Sequence, residues 1–424
     1  MIKFLDKFFL RSNNLNYLSK SIKELTKNSE AYKIFDAINS YSEKSEIRYV
    51  GGCIRKIINN EKVDDIDLAS NLEPQQVCEA LKKKNISYFE TGIQHGTITA
   101  VINKKKFEIT SLRKDISTDG RHAIVKFTDN WKEDALRRDF TINSIYSDRD
   151  GNLFDPFNGK RDIENGIINF IGDADKRIKE DYLRILRYVR FFLNYSKKPH
   201  NLELIRKLKI NIDGVSKLSK ERLLMELKKI IRLETLEKLN NDNISADLIL
   251  IIFPELKNIK VFSKLNQSKK DLLKQKNFIF LISLLIIDKT DNTEYFFYRF
   301  NLSKKDQKRI SIIDNFYKDM KNKSLFTETN LNRTFYYHGK QAINDILHFE
   351  IIMSQKSNKK IIDLNKMFLN KTHPVIPVSA EVLMKKYKIP EGKQIGKKLR
   401  MIEEKWIENN FQISDIQVEN IVNN

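Results

Sequence analysis

Two periodicities divide the chain near residue 175. Before it, short runs alternate apolar and polar positions: IRYVGG, DDIDLAS, GTITAVI, KFEITSL and INSIYSD. Each reads as a half-buried strand, because side chains alternate faces along extended backbone. Helix-compatible stretches separate them, and most of the glycines fall in this part. After residue 175 glycine is scarce and apolar residues recur at helical spacing, as in DYLRILRYVRFFL and ERLLMELKKIIRL. The expected fold is therefore α+β: an N-terminal head with a small mixed β-sheet and helices, followed by an all-α body and tail. The predicted boundaries are a head over 1–175, a helical neck over 176–260, and a body and tail over 261–424.

The most apolar run, NFIFLISLLIID at 277–288, is shorter than the roughly 18 residues that suggest a membrane span, so it reads as a buried core helix. A Pro/Gly-containing stretch at 373–396 predicts a break before the last helix. There is no internal repeat and no long low-complexity linker.

Composition adds a partner class. The chain has 424 residues, 41% of them hydrophobic, enough for a folded protein of more than one domain. Lysine and arginine number 77 against 56 acidic residues, a net charge of +21. Such an excess favours a polyanion, with nucleic acid ahead of a membrane surface. A solvated basic surface is the plainer explanation of any one lysine cluster. Two cysteines, Cys53 and Cys78, cannot build a disulfide framework or a zinc cluster, which fits a reducing cytoplasm. The opening MIKFLDKFFLRSNN has its apolar stretch broken by Asp6 and Lys7 and lacks a small-residue cleavage site, so no export signal is expected.

Candidate chemistry concentrates in residues 48–70. A short strand ends in Gly51-Gly52 and a basic, helix-compatible stretch follows. Glycines between a strand and a helix start let a phosphate approach backbone N–H groups. Arg55 would sit in the first helical turn, aimed at the same anion. Neither a P-loop nor a Rossmann fingerprint is present. Asp65 and Asp67 are two apart, so in a strand they would share a face. Paired carboxylates repel and call for a cation, and hard oxygen ligands suit Mg²⁺. Asp64 beside them leaves the register open. Alone, such a pair is usually a solvated strand or turn. Glu108 in KFEITSL is a candidate third carboxylate, with an exposed strand position as the alternative.

The order of motifs then resembles the bacterial-type tRNA nucleotidyltransferase and poly(A) polymerase superfamily. Residues 48–70 are similar to its first motif. Leu136 to Ile145, LRRDFTINSI, resembles its R-R-D-F-T-I-N motif, and Asp155-Pro156-Phe157-Asn158-Gly159 its short linking motif. Glu180 to Phe191, EDYLRILRYVRF, resembles E-D-x-x-R-x-x-R-x-x-R-F, and Glu221-Arg222 begins the next. Resemblance is dense over 48–232 and thins to echoes at Phe253-Pro254-Glu255-Leu256 and Ile389 to Gly396. Lys56 departs from the acidic residue common after the motif arginine, which would retune triphosphate binding.

That resemblance implies template-independent addition of C, C and A to the 3′ end of tRNA from CTP and ATP, with Mg²⁺ held by Asp65 and Asp67. It assigns nucleotide binding to Gly51, Gly52, Arg55, Arg138, Asp181, Arg184, Arg187 and Arg190, with Glu108 beside the metal pair. Asp139 is expected to orient an arginine or the loop. Asp181 and Arg184, three apart on a helical segment, would share a face. A carboxylate accepts and a guanidinium donates, so the pair matches the amine-plus-ring-nitrogen edge of cytosine or adenine and rejects uracil and guanine. A solvated salt bridge is the simpler alternative for the two residues in isolation. The polar stretch LRKDISTDGRHAIVKF, 112–127, with Arg113, Arg121 and His122, is expected to be the loop that helps switch from C to A. The lysines of the second half, including Lys269-Lys270, Lys359-Lys360 and Lys397-Lys398, would grip the acceptor arm. The scattered histidines at 95, 122, 200, 338, 348 and 373 offer no His-Asp pair for a second, hydrolytic activity. The alternatives are a poly(A) polymerase or A-adding enzyme on the same fold and, in a different class, a non-catalytic RNA-binding protein. No membrane and no protein partner is expected.

Overall fold

The computed structural model describes residues 17–118, 123–318, 325–354 and 358–423. The opening MIKFLDKFFLRSNN lies outside them, as do Arg121 and His122. The chain divides into two compact units, 1–226 and 227–424.

The first unit is built on a seven-stranded sheet. Its strands are β1 (Ile47–Val50), β2 (Asp67–Ser70), β3 (Ser87–Gly92), β4 (Thr97–Ile102), β5 (Lys105–Ser111), and the two-residue β8 (Tyr146–Ser147) and β9 (Leu153–Phe154). Their order is β3-β4-β5-β2-β1-β8-β9. Only β2 and β5 run parallel, with Asp67 opposite Glu108. The mixed sheet expected from the alternation is therefore present. INSIYSD shrinks to Tyr146–Ser147, because Thr141–Asn143 coil into a 3-10 turn. DDIDLAS likewise pairs only from Asp67 onward.

Alternation along β4 is strict: Ile98, Ala100 and Ile102 are buried, while Thr97, Thr99 and Val101 are only partly covered. The helix Pro74–Lys83 packs on β3 and β4, and its Cys78 meets Tyr88 of β3. The stretch read as a polar loop forms instead a hairpin of β6 (Arg113–Thr118) and β7 (Ala123–Phe127), with its tip outside the described residues. Cross-strand backbone pairing satisfies groups that an open loop would leave to water.

The linking motif has a structural role. Asp155 accepts hydrogen bonds from the Gly159 and Lys160 N–H groups at 2.7 and 2.9 Å, capping the helix Gly159–Asn165. Gly159 lies so close to the 141–143 turn that a Cβ on it would be 2.1 Å from the Thr141 carbonyl oxygen. Thr141 Oγ1 also donates to Asp162 of that helix at 2.6 Å.

The second unit is helical among the described residues. Phe278–Ile286 is buried from Ile279 onward, as a core helix should be, and no described helix is long and apolar enough to cross a membrane. The Pro254-Glu255 echo is a structural joint: buried Glu255 accepts two hydrogen bonds from Arg299, at 2.8 and 2.9 Å. The expected break at 373–396 contains one further short helix, Ala380–Tyr387. Two of the named lysines are used internally. Lys269 Nζ donates to the Ile352 and Ser354 carbonyls at 3.0 and 2.6 Å, closing the end of the helix Glu328–Met353. Lys398 is buried and donates to Ile421 O at 2.8 Å. Lys359, Lys360 and Lys397 are exposed.

Gly159→Ala is expected to destabilise the protein by about 1–3 kcal/mol, the usual cost of an unaccommodated methyl in a packed site. Urea unfolding of the two proteins measures the difference.

Candidate active site

A cavity of about 400 Å³ in the first unit is lined by Gly51, Gly52, Arg55, Asp67, Arg138, Asp139, Asn143, Asp181, Arg184, Arg187, Arg190 and Phe191. It gathers residues from 140 positions of sequence around one space. Of the residues predicted for the site, Asp65 and Glu108 are not in its wall.

Gly51 turns the chain from β1 into the helix Gly52–Ile58 with φ 68° and ψ −112°, a conformation that side chains rarely adopt. Its N–H donates to Ile145 O at 3.1 Å. Arg55 does not simply reach forward from the first turn. Its guanidinium lies over the rings of Phe191 and Tyr195, at 4.8 and 5.1 Å, and donates to Asn143 Oδ1. Asn143 in turn donates to Asp139 at 2.8 Å. Arg55 is buried, its Nε has no partner, and no carboxylate stands within ion-pair distance among the described residues.

Each of the other four arginines has an acidic partner, although Asp134 is shared with Arg137 and Glu180 with Arg177. Arg138 bridges to buried Asp134 at 3.1 Å and to Tyr146 Oη at 3.0 Å. Arg187 donates to Asp139 Oδ2 at 2.6 Å, which makes Asp139 the expected orienting carboxylate. Arg190 pairs with buried Glu226. Arg184 donates to Glu180 at 2.7 Å and to the Arg177 carbonyl at 2.6 Å. Phe191 is the common platform, with Arg55, Arg187 and Arg190 at 4.8, 5.4 and 4.2 Å from its centroid.

The selecting pair is arranged differently from the single helical face expected. One helix, Ala174–Glu180, ends before Asp181, and the next, Leu183–Tyr195, begins after it. Asp181 is extended, with φ −155°, because its side chain caps the second helix through the Leu183 N–H at 3.1 Å. Its other oxygen accepts from Arg222 at 2.8 Å. Both side chains still line the cavity. Each keeps hydrogen-bonding capacity: a carboxylate accepts about four bonds and a guanidinium offers five donors.

Asp65 is exposed and precedes β2, so the strand argument for its pairing with Asp67 does not hold. The carboxylates nevertheless share one field. Burial pushes the Asp67 carboxyl above its ordinary range, Glu108 and Asp65 add to the rise, and Arg138 and Arg55 oppose it. A strained cluster of acidic oxygens of this kind fits a divalent cation. Among the described residues no group of three or more His, Cys, Asp or Glu side chains is placed to hold a metal ion.

Asp134, Asn143, Tyr146 and Phe191 were not singled out from sequence. Asp134 was detectable, since it stands three and four before Arg137 and Arg138, helical pairing distances. Asn143 and Phe191 fall inside the R-R-D-F-T-I-N and E-D-x-x-R motifs, whereas Tyr146 is brought in by packing alone.

For Asp139, burial alone would raise the carboxyl. The charge of Arg187 and the hydrogen bonds from Asn143, Arg187 and the Phe140 N–H outweigh it and hold it at about 2. A depressed folded-state value stabilises above the unfolded value and loses that contribution as pH falls. Asp139→Asn is therefore expected to cost about 1–3 kcal/mol at pH 7. The gap to wild type should narrow as pH drops from about 4 toward 2, read by unfolding across a pH series. An equal gap at every pH would contradict the assignment.

Residues 47–169 match the family described as the Poly A polymerase head domain. The chain is 46% identical over 192 residues to human mitochondrial CCA tRNA nucleotidyltransferase 1, covering 45% of this chain and 44% of that protein. Over 189 residues it is 36% identical to the CCA-adding enzyme of Lactobacillus johnsonii, covering 44% and 46%. The matched segment thus spans less than half the length of these curated relatives. By structure the chain is similar to the Bacillus stearothermophilus CCA-adding enzyme in complex with CTP: TM-score 0.70, 20% identity, 93% of this chain and 96% of that one. It is also similar to the Thermotoga maritima CCA-adding enzyme complexed with tRNA: TM-score 0.58, 18% identity, 94% and 95%. Residues 47–169 are thus similar to the Poly A polymerase head domain, and the chain has the fold of the CCA-adding enzymes.

Proposed function

We propose that the protein adds C, C and A to the 3′ end of tRNA from CTP and ATP without a nucleic-acid template, releasing pyrophosphate. The observation that carries this is the pairing of one unneutralised buried cation with one unneutralised carboxylate group on the same cavity. Arg55 has no carboxylate partner among the described residues, and Asp67 is held above its ordinary range by burial and by Glu108 and Asp65. A triphosphate answers the first and a divalent cation the second.

Gly51, Gly52 and Arg55 hold the triphosphate in this reading, with Arg138, Arg187 and Arg190 providing a positive wall. Asp181 accepts from the exocyclic amine of cytosine or adenine, and Arg184 donates to the adjacent ring nitrogen. Uracil and guanine place a carbonyl and a ring N–H there and leave polar groups unpaired, at about 1–3 kcal/mol each. Asp65 and Asp67 would hold Mg²⁺, with Glu108 adjacent; bound there, the metal supplies Lewis-acid stabilisation of the transferring phosphoryl group. The acceptor arm is gripped by exposed lysines such as Lys359, Lys360 and Lys397, which give affinity that falls with salt. A cytoplasmic location is supported by two cysteines that are both free.

Incorporation on tRNA transcripts ending before CCA, after C and after CC tests this, with Mg²⁺ and CTP, ATP, both, UTP or GTP. Addition of C, C and A followed by a halt is expected. A long A ladder would indicate a poly(A) polymerase, and A added only to the CC end an A-adding enzyme. Binding without incorporation would leave an RNA-binding protein.

Asp67→Asn is expected to abolish incorporation while leaving tRNA binding near normal. The carboxyl is raised in the folded state, so its ionisation weakens the fold as pH rises above its ordinary value. The variant should then melt at or above the wild-type temperature at pH 7 without Mg²⁺, and gain less from added Mg²⁺. Arg184→Ala is expected to relax discrimination against UTP and GTP or to lower the rate. Unchanged base choice and rate would refute its role.

A further inference from the structure

One row of side chains crosses the sheet from the carboxylates to an exposed aromatic ring. Asp67 on β2 is opposite Glu108 on β5, Glu108 is opposite Thr99 on β4, and Thr99 is opposite Phe89 on β3. Directly paired residues share a face, so all four stand on one side of the sheet. The other side is the covered one, since Ala100 is buried and Tyr88 meets Cys78 of the helix Pro74–Lys83. Phe89 is 56% exposed. A single exposed ring is ordinary on a protein surface. This one is distinguished by its company. Lys106, two residues from Glu108 on the same strand, is exposed on the same face, and Lys104 is exposed in the adjoining turn. The row also ends at the wall of the nucleotide cavity, through Asp67.

We propose that this open sheet face seats the unpaired 3′ end of the acceptor strand, with Phe89 as a stacking platform for a base upstream of the attacking hydroxyl; the inference rests on the function proposed above. The terminal hydroxyl must lie beside Asp67 and Glu108, and the strand behind it must leave the cavity over some surface. The row offers an aromatic ring for a base and lysines for phosphates, the combination that holds single strands without reading sequence. Three interstrand steps of about 4.8 Å place Phe89 roughly 14 Å from Asp67. That reach corresponds to roughly two to three nucleotides of extended strand. Phe89 is therefore a positioning residue whose contribution depends on how many unpaired nucleotides the acceptor carries.

The test uses the full chain and its Phe89→Ala and Phe89→Trp variants on acceptor-stem RNAs with one, two or three unpaired 3′ nucleotides. Loss of a stacked base is expected to raise the KM for the three-nucleotide RNA about tenfold in Phe89→Ala. The KM for the one-nucleotide RNA and for CTP or ATP should stay near wild type, and Phe89→Trp should restore the three-nucleotide value. A KM unchanged for all three RNAs, or raised equally for all three, overturns the proposal. Should wild type incorporate nothing on any RNA, the proposed activity falls instead. Dissociation constants for the same RNAs then decide on Phe89, with the same length-dependent loss expected and its absence overturning the proposal.

Discussion

Repulsion among guanidinium groups is the constraint on which the head depends. Arg55, Arg138, Arg184, Arg187 and Arg190 all line one cavity of about 400 Å³, and like charges at such range are costly away from bulk water. The fold answers with a separate acidic partner for four of them: Asp134 for Arg138, Glu180 for Arg184, Asp139 for Arg187 and Glu226 for Arg190. Phe191 adds a shared π-face. The fifth, Arg55, is left with a neutral amide, and two of the acidic partners are shared, Asp134 with Arg137 and Glu180 with Arg177.

The same pairing ties distant segments together. Asp139 holds Arg187 across 48 positions of sequence and, through Asn143, steadies Arg55 from a third segment. Arg177 donates to the Arg137 and Arg138 carbonyls, so the helix Ala174–Glu180 is anchored to the arginine-rich loop. Gly159 abuts the adjoining 141–143 turn, where no side chain would fit. Motifs that look separate in the sequence are thus parts of one electrostatic network, and a lesion in one should be felt in the others.

The carboxylates present the opposite problem. Parallel pairing of β2 and β5 sets Glu108 beside Asp67, and no described lysine or arginine forms an ion pair with either. Burial and the neighbouring Glu108 and Asp65 raise the Asp67 carboxyl above its ordinary range, so its ionisation is unfavourable in the free protein. The uncovered sheet face leads away from this point, and the covered one supplies the core that keeps it rigid.

Much of this was legible in the sequence. Period-two alternation located β1, β2, β4, β5 and β8 but not β3, β9 or the β6–β7 hairpin, helical spacing located the second half, and the apolar run at 277–288 became a buried helix because no other environment suits it. The ordered motifs selected nine of the cavity's twelve lining residues for the site, and Asp139 for the support of an arginine. What the sequence did not carry is which partner each charge takes. Asp181 and Arg184 suggested one helical face, yet the chain breaks between Glu180 and Leu183 because Asp181 is used as a cap. Asp65 and Asp67 suggested one strand, yet pairing starts at Asp67. Lys269 and Lys398 suggested surface cations, yet both donate to backbone carbonyls within the second unit, Lys398 from a buried position. Local pattern determines element type, because periodicity and burial are properties of neighbouring residues. Charge partnership is decided by tertiary structure, because it depends on which groups the packed chain brings within a few ångströms.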